Sequence, residues 1–580
     1  MTNKQISDIF VQIADILEIK GENIFRVRAY RQAAANILTY ARQASDICRE
    51  DPELLLLVPG IGKDLKEKIV EMVTTGKLKK LDELSKEFSP GFLELLNLSG
   101  LGPKTLKKLK DELGIADIND LKKACEEGKI ASLAGMGEKT EEKLLEAIEY
   151  HKKTEGRMLF QEAYSLSGDV LAYLKRSGYF KKLEAAGSLR RGKETVGDID
   201  ILAVSSESQK AMQFFTLYPG IRNVISKGKK KTSIALENGV QIDLRMIEDK
   251  CFGSALVYFT GSQAHNIKLR KIAKKDGKKV SEYGVFRINP GSGKGTAIAY
   301  RTEEDVYKSL GMAWIPPELR EDSGEVETAL EGKLPGSLIK LTDIKGDLHV
   351  HTNETDGRNT IEEMALAAKN KGYEYIAITD HSKLVAVAKG MDETRLLKHI
   401  DRIRDADNRI KGIKILVGVE VDILKNGELD FSDSFLKELD IVIAAVHSNF
   451  SMDINTQTDR ILRALDNKFV NILAHPSGRL ITKRSPLELD MDTVFRRAKE
   501  NGVILEVNTH GERVDLSDVN SRRAAGIGVK LAINTDSHGV EQLDQMMFGV
   551  ISARRGWIKR EDVVNTLPLP RMLAILRKKG

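Results

Sequence analysis

Two sets of side chains in this 580-residue chain have the types and spacing to hold metal ions. The first is small. Asp198 and Asp200, in "VGDIDIL", stand two apart in an alternating run, and Asp243, in "VQIDLRM", sits in a second such run. Residues two apart on a strand share a face, so the two aspartates point together while Ile199 and Ile201 point behind them. Ile242 and Leu244 likewise turn away from Asp243. Three converging carboxylates can hold two Mg²⁺ ions, which take carboxylate and phosphate oxygens and keep waters. Such a pair can activate a 3′-hydroxyl and stabilise a leaving pyrophosphate. A bare Asp-x-Asp in a strand is common, so the third aspartate matters.

The second set is larger. His349 and His351 lie in "GDLHVHT", Asp356 in "TDGRN", His381 in "ITDHS" and Glu420 in "GVEVDI". His447 lies in "AAVHSNF", His475 in "LAHPSGR", and Asp536 and His538 in "NTDSHG". A lone histidine is usually a core or surface residue. Nine ligand-type residues at or near the ends of successive apolar runs are hard to explain that way. Imidazole and carboxylate without thiolate suit Zn²⁺, Mn²⁺ or Fe²⁺, and the set is too large for one ion. His399 and His510 fit no motif and are read as structural.

The elements that must carry these residues can be sketched from pattern. Residues 1–88 read as short helices, with Ile6, Ile9, Phe10, Ile13, Ile16 and Leu17 at helical spacing. Three segments then repeat one design: helix, Gly-x-Gly turn, helix. They are "LVPGIGKDLKEKI" with Gly60 and Gly62, "LSGLGPKTLKKL" with Gly100 and Gly102, and "LAGMGEKTEEKL" with Gly135 and Gly137. Paired glycines let a backbone come close to a phosphate and present N–H groups at a helix start. Gly-rich helix connections are common singly; the repetition is the signal, though the third helix also carries Glu138, Glu141 and Glu142. Strands begin near residue 184, and Asn238-Gly239 between two alternating runs predicts a hairpin. Residues 316–340, with Pro316, Pro317, Pro335 and several glycines and acids, read as a linker. From residue 344 short apolar runs such as "YIAITD", "KILVGVEV" and "VNILAHP" alternate with helical stretches, most ending in a polar residue. That is the pattern of a parallel β/α barrel with its chemistry at the strands' C-terminal ends.

Several of these motifs resemble known families. The glycine turns are similar to the helix-hairpin-helix motif, which grips the DNA backbone without reading sequence. Gly187-Ser188, ten residues before Asp198, completes a nucleotidyltransferase signature in which Ser188 and Arg191 face triphosphate oxygens. "YFTGSQAHNIKLR" resembles the nucleotide pocket of family X DNA polymerases. That resemblance puts Tyr258 and Phe259 on the sugar and base, Gly261 at a close approach, Asn266 at the minor-groove edge and Arg270 on the template side. It extends over about residues 1–316 and departs at Gln241, where polymerase beta has an arginine supporting the third aspartate. "GENIFRVRAYRQAA" resembles the small lyase domain of that family, whose Schiff-base lysine falls at Lys68 here. Gln32 stands where relatives carry a further lysine, which leaves 5′-end binding and lyase activity open.

Residues 340–575 resemble the PHP family, a distorted seven-stranded barrel with a trinuclear centre. The resemblance implies one ion on His349, His351, Glu420 and Asp536, a second on Glu420, His447 and His475, and a third on Asp356, His381 and His538. A metal-bound hydroxide there would attack a phosphodiester. Arg479 and Lys383 are candidates for holding the phosphate.

Composition fits this division. Residues 221–300 hold 16 Lys/Arg against 6 Asp/Glu in a chain of net charge +6, a local polyanion-binding stretch or else a solvated lysine-rich surface. Eight of the ten histidines lie in residues 349–580. Cys48, Cys125 and Cys251 form no CxxC pair, which argues for a reducing cytoplasm. The N-terminus has no signal-peptide pattern and no apolar run spans a bilayer.

The expected architecture is multidomain: an all-α helix-hairpin-helix region, an α+β nucleotidyltransferase palm with thumb, and an α/β PHP distorted (β/α)7 barrel. Its parts are a lyase-like domain (1–88), a helix-hairpin-helix subdomain (89–153), the palm (154–250), the nucleotide-pocket thumb (251–316), the linker (317–339) and the PHP domain (340–580). The expected function is short-gap filling in DNA repair with Mg²⁺ or Mn²⁺ at the palm. A 3′–5′ exonuclease holds two or three Mn²⁺, Zn²⁺ or Fe²⁺ ions in the PHP domain, with cleavage at abasic sites as a further activity. The partners are gapped or nicked duplex DNA and dNTPs, and the protein is taken as a cytoplasmic monomer. Three rivals stand beside this reading: a template-independent nucleotidyltransferase, a small-molecule phosphatase in the C-terminal half, and a DNA-binding scaffold with inactive domains.

Overall fold

The computed structural model describes residues 1–576 apart from 2, 41, 99, 155, 289–294 and 299. The N-terminal region is helical, as its periodicity predicts. Ile6, Phe10, Ile13 and Leu17 of the helix Asn3–Ile19 bury one face against the helix Ile24–Thr39, in a core that Leu65, Ile69 and Met72 of Lys63–Thr75 share. A second core gathers Leu98, Leu101, Leu106, Leu109, Leu121 and Ile148. The glycine pairs divide their labour. Gly60, Gly100 and Gly135 take left-handed φ of 77°, 86° and 80°, which a side chain would resist. Gly62 and Gly102 are the N-caps of the helices Lys63–Thr75 and Pro103–Leu113, and Gly137 precedes Glu138–Thr154. Around the second glycine of each pair no atom lies where a Cβ would reach, so the helix-start N–H groups are approachable.

The palm begins with a short antiparallel pair, β1 (Met158–Leu159) and β3 (Thr195–Val196). Its main sheet has β2 (Phe180–Ala185), β4 (Asp198–Ser205), β5 (Ile221–Lys227), β6 (Lys231–Leu236) and β7 (Gln241–Met246) in the order β2-β4-β7-β6-β5. β6 and β7 form the hairpin predicted at Asn238-Gly239. β4 and β7 pair in parallel, with Asp200 opposite Asp243. Ile199, Ile201, Ile242 and Leu244 point into the core against the helix Phe160–Arg176, and that burial fixes which face the aspartates present.

The thumb carries helices Phe252–Thr260 and Gln263–Lys275 and a three-stranded sheet, β8 (Lys278–Ser281), β9 (Gly284–Ile288) and β10 (Gly295–Ile298). The stretch read as a linker, 317–339, differs from a solvated tether. Leu319, Val326, Ala329 and Leu338 belong to the thumb's core. Arg320 is fully buried, its Nη1 2.7 Å from Glu303, and Glu325 is fully buried 2.7 Å from His265 Nδ1. Its prolines and acids are turn and ion-pair residues of a packed segment, which composition alone cannot distinguish from a loop.

The C-terminal half is a parallel sheet of seven strands in sequential order: β11 (Gly346–Val350), β12 (Tyr375–Ile378), β13 (Lys414–Asp422), β14 (Ile441–Ala445), β15 (Ile472–Leu473), β16 (Ile504–Asn508) and β17 (Leu531–Asn534). A bridge between Val350 and Ser537 brings the last strand back to the first, so the barrel is nearly closed. Its strands are buried on both faces, which explains their unbroken apolar runs. No helix among the described residues is long and apolar enough to cross a membrane.

Candidate active sites

On the palm, carboxylate oxygens of Asp198, Asp200 and Asp243 lie within 4.8 Å of one another. Asp198 is exposed, Asp200 half-buried and Asp243 buried, so the group opens to one side. Burial, then the neighbouring Asp198, lifts Asp200 to about 6. Burial also works against Asp243, but hydrogen bonds from Lys231, Ser233 and Gln241 outweigh it and hold its carboxyl below the usual range. Lys231 Nζ is 2.5 Å from Asp243, and Gln241 Nε2 donates to Asp243 at 2.9 Å. Arg245 reaches Asp200 at 3.4 Å and Asp243 at 3.3 Å while its guanidinium covers the Phe259 ring at 4.5 Å. The sequence pointed to Gln241 as a missing support; Lys231 and Arg245 supply cations on the same carboxylate.

Of the residues expected around the nucleotide, Gly187 lies against Asp200, and Phe259 lies against Arg245, which reaches Asp200 and Asp243. Gly187 has φ 62°, and a Cβ there would stand 2.9 Å from Asp200 Oδ2, so only glycine brings the Ser188 turn this close. Arg191 Nε is 2.9 Å from Glu321, and its Nη1 donates to Thr260 O. Gly261 lies against Arg191, Tyr258 and Phe259 meet edge to face at 5.2 Å, and Asn266 donates to Tyr258 O at 2.6 Å. Arg270 stands exposed on the helix Gln263–Lys275.

In the barrel all nine ligand-type residues converge. Glu420 is central: His475 Nε2 stands 3.0 Å from it, His447 Nε2 3.4 Å, His381 Nδ1 2.8 Å, and His349 and His351 each 3.6 Å. Asp536 lies 3.0 Å from His351 Nε2, and Asp356 lies 3.3 Å from His538 Nε2. The donor groups overlap. His351 joins Asp356, His381 and His538 as well as His349 and Asp536, and His381 joins Glu420 and His447. The Nε2 atoms of His349 and His351 are 3.1 Å apart, and His351 stacks between His381 and His538 at 4.4 and 4.3 Å. Burial, with His538 and His381 adding to it, pushes His351 down to about 4. Burial opposes charging of His447 too, yet Glu420 and Asp422 prevail and raise it to about 10.

Buried Glu420 Oε2, Asp356 Oδ1 and His381 Nδ1 make no hydrogen bond among the described residues, although Glu420 Oε2 and His381 Nδ1 are only 2.8 Å apart. Polar atoms buried side by side without bonding one another are placed for a shared cation, so this donor set fits divalent metal. His475 and Asp536 also hold left-handed φ of 29° and 52°, uncommon for residues with side chains and frequent at functional sites.

Known proteins resemble this chain both domain by domain and over its full length. Residues 1–78 match a helix-hairpin-helix domain, 92–149 a SAM-like helix-hairpin-helix tandem, 255–321 the DNA polymerase beta thumb and 347–510 the PHP domain. Over all 580 residues, the full length of both chains, the sequence is 39% identical to the DNA polymerase/3′-5′ exonuclease PolX of Bacillus subtilis (strain 168). The chain belongs to the family X DNA polymerases that carry a PHP domain. The C-terminal part is also 32% identical over 231 residues to a probable phosphatase of Thermoanaerobacter sp. (strain X514), covering 38% of this chain and 89% of that one. A probable phosphatase of Acetivibrio thermocellus is 31% identical over 202 residues, 33% of this chain and 78% of that one.

Within this family X chain, three side chains are engaged differently from expectation. Arg479 is not free for a phosphate: it forms a two-pronged ion pair with Glu194 of the palm at 3.1 and 2.5 Å and donates to Arg513 O and Val514 O. Lys383 pairs with Glu393 at 2.5 Å. Lys68, 16% exposed, is bonded to Asp64 in an open groove shared with Glu67 and Glu71.

Sequence reasoning missed the residues that orient the metal ligands. Glu506, fully buried on β16, accepts His349 Nδ1 at 2.8 Å, Asn534 Nδ2 at 3.0 Å and the His475 N–H at 2.8 Å. It leaves His349 Nε2 facing the centre. His399, read as structural, donates from Nε2 to Asp380 at 2.9 Å, and Asp380 takes Thr352 N–H and two threonine hydroxyls beside the site. His510 donates its backbone N–H to Asn508 Oδ1 at 3.0 Å. Glu506 sits inside an apolar run, "VILEVN", and that interruption was the available signal.

Proposed function

We propose that this protein fills short gaps in duplex DNA during repair and trims 3′ ends with its PHP domain. The observation that carries the reading is the coexistence of two donor sets suited to metal ions in one chain, three carboxylates on the palm and nine candidate ligands in the barrel, the ninth being His475 beside Glu420. Divalent ions, Mg²⁺ or Mn²⁺ at the palm and two or three Mn²⁺, Zn²⁺ or Fe²⁺ at the PHP site, would activate the attacking oxygen and neutralise developing charge.

The chain's own residues do the placing. Asp198, Asp200 and Asp243 hold the palm ions where a primer 3′-hydroxyl meets the nucleotide. Gly187, Ser188 and Arg191 receive the triphosphate, Tyr258, Phe259 and Gly261 its sugar and base, while Asn266 and Arg270 face the primer–template. Gly60, Gly62, Gly100, Gly102, Gly135 and Gly137 present backbone N–H groups to DNA phosphates on either side of the gap. In the barrel, His349, His351, Asp356, His381, Glu420, His447, His475, Asp536 and His538 would hold the ions that act on a 3′-terminal phosphodiester. Lyase chemistry at Lys68 needs a neutral amine, and the bond to Asp64 must first open. The protein works as a monomer in the cytoplasm, on the nucleoid through its DNA.

The phosphatase relatives favour one second reading, of the PHP half alone as a small-molecule monoesterase. A labelled one-nucleotide gap with each dNTP in turn, a 3′-labelled single strand and a small aryl monoester separate these. The proposal expects the template-matched dNTP to be added and the DNA strand to be trimmed far faster than the monoester. Untemplated addition, or monoester turnover without trimming, would refute it.

A further inference from the structure

The turn that receives the triphosphate, residues 187–194, is held from behind by the PHP domain. Arg555, at the end of the helix Met546–Arg555, donates through Nη1 to the backbone carbonyl of Arg191 at 2.7 Å. The same nitrogen is 3.1 Å from Glu321 Oε1, which also takes Arg191 Nε at 2.9 Å. Asp518 holds the other side of Arg555 at 2.9 and 3.0 Å. Asp518, Arg555, Glu321 and Arg191 thus form a chain of alternating charge joining PHP domain, thumb and palm. The Arg555 side chain is 4% exposed.

Two further contacts grip the same turn. Gly192, at φ 65°, lies so close to the PHP helix that a Cβ would stand 2.3 Å from Ile551 Cγ2 and 3.6 Å from Arg555 Cδ. Glu194 is the carboxylate clasped by Arg479. Below the turn, Phe548 packs edge-on against Phe160 and Tyr164 of the palm at 5.7 and 5.8 Å. The helix Met546–Arg555 therefore serves two cores: Met546, Val550 and Ala553 face the barrel, and Phe548, Ile551 and Arg555 face the palm.

We infer that Arg555 is a positioning residue for polymerisation: the PHP domain forms the back wall of the nucleotide site and holds Arg191 and the Ser188 turn in register for the triphosphate. This rests on the reading of Arg191 as a triphosphate ligand. Arg555 touches neither substrate nor metal. It fixes the backbone from which Arg191 projects and tethers Glu321, which balances the Arg191 charge when no nucleotide is bound. The consequence is one-way. Loss of Arg555 weakens nucleotide binding at the palm and leaves trimming at the PHP centre unchanged.

The test uses the full-length protein with Arg555→Ala, Arg555→Lys, Glu194→Gln and Arg191→Ala. Binding of the matched dNTP to a gapped duplex with a dideoxy-terminated primer is measured alongside steady-state gap filling and trimming of a single strand. For Arg555→Ala the dNTP Kd and KM should rise about tenfold, with kcat and trimming within about twofold, since losing a hydrogen bond from a charged group costs on the order of tenfold in affinity. Arg555→Lys should fall between the two, because an ammonium reaches one of its acceptors but lacks the fork. If Arg191→Ala weakens dNTP binding and Arg555→Ala does not, the inference is overturned while the assignment of Arg191 stands. If Arg191→Ala leaves binding unchanged, that assignment fails instead, and the inference with it. Should Arg555→Ala lose trimming as well, the decision passes to Glu194→Gln, which removes one ion pair without a cavity. A dNTP Kd raised about threefold with trimming intact supports the wall, on the scale of a single partly buried ion pair, and an unchanged Kd overturns it.

Discussion

The palm and PHP centres solve one problem, holding cations against a phosphate, with opposite architectures. The palm gathers three carboxylates from two adjacent parallel strands, and one of them, Asp198, is exposed. The PHP centre draws nine ligands from residues 349 to 538, with His349, His351 and Glu420 at most 1% exposed. An open site suits a substrate that must enter, pair and slide on by one nucleotide. A deep site with a fixed ligand shell suits hydrolysis of a single strand end, where water and phosphate are all that must be placed. The palm therefore depends on what packs against it from outside, whereas the barrel supplies its own support.

This contrast can be broken in steps. The largest effects should come from the central ligands. Glu420→Gln removes the carboxylate that five histidines approach, and trimming should fall about a thousandfold, on the scale of losing a main electrostatic element, while gap filling stays within about twofold. Asp243→Asn should do the converse. Rates of both reactions on one preparation check the pair, and a variant that lost both activities would mean the sites are not separate.

The next effects come from supports. Glu506→Gln keeps the shape but weakens the partner of His349, and metal affinity at the PHP site should drop about ten- to a hundredfold, as for other carboxylates behind metal-bound histidines. Titration of the apo-protein with Mn²⁺ would show it. Arg245→Ala should slow gap filling about tenfold by freeing the orientation of Asp200 and Asp243, with kcat as the readout. An effect of Arg245→Ala as large as that of Asp243→Asn would contradict the assignment of Arg245 as support. The smallest effect belongs to the DNA grip. Gly100→Ala forces a side chain into φ 86° and should cost about 1 kcal/mol, read as weaker duplex binding with both chemistries intact on saturating DNA.

What the sequence made legible follows the same division. Asp198, Asp200 and Asp243 could be read because strand alternation ties residue type to face, and the barrel ligands because most stand at or near the end of an apolar run. The packed segment 317–339 could not. Glu325 and Arg320 are buried by partners, His265 and Glu303, that lie 60 and 17 residues away, and composition carries no record of such pairing. Arg479 illustrates the cost of reading by proximity in sequence: four residues from His475, it turns instead to Glu194, 285 residues away. The helix Met546–Arg555 did offer a clue, because Phe548 and Ile551 fall on the face opposite to Met546 and Val550, and a helix apolar on two sides has two neighbours.

The most direct test of two independent centres uses one labelled one-nucleotide-gapped duplex with dNTPs and Mn²⁺. Wild type is compared with Asp198→Ala plus Asp200→Ala and with His349→Ala plus His351→Ala. The account predicts that the carboxylate variant trims without extending and the histidine variant extends without trimming. A wild type that does neither with metal present, or two variants that each lose both activities, would contradict it.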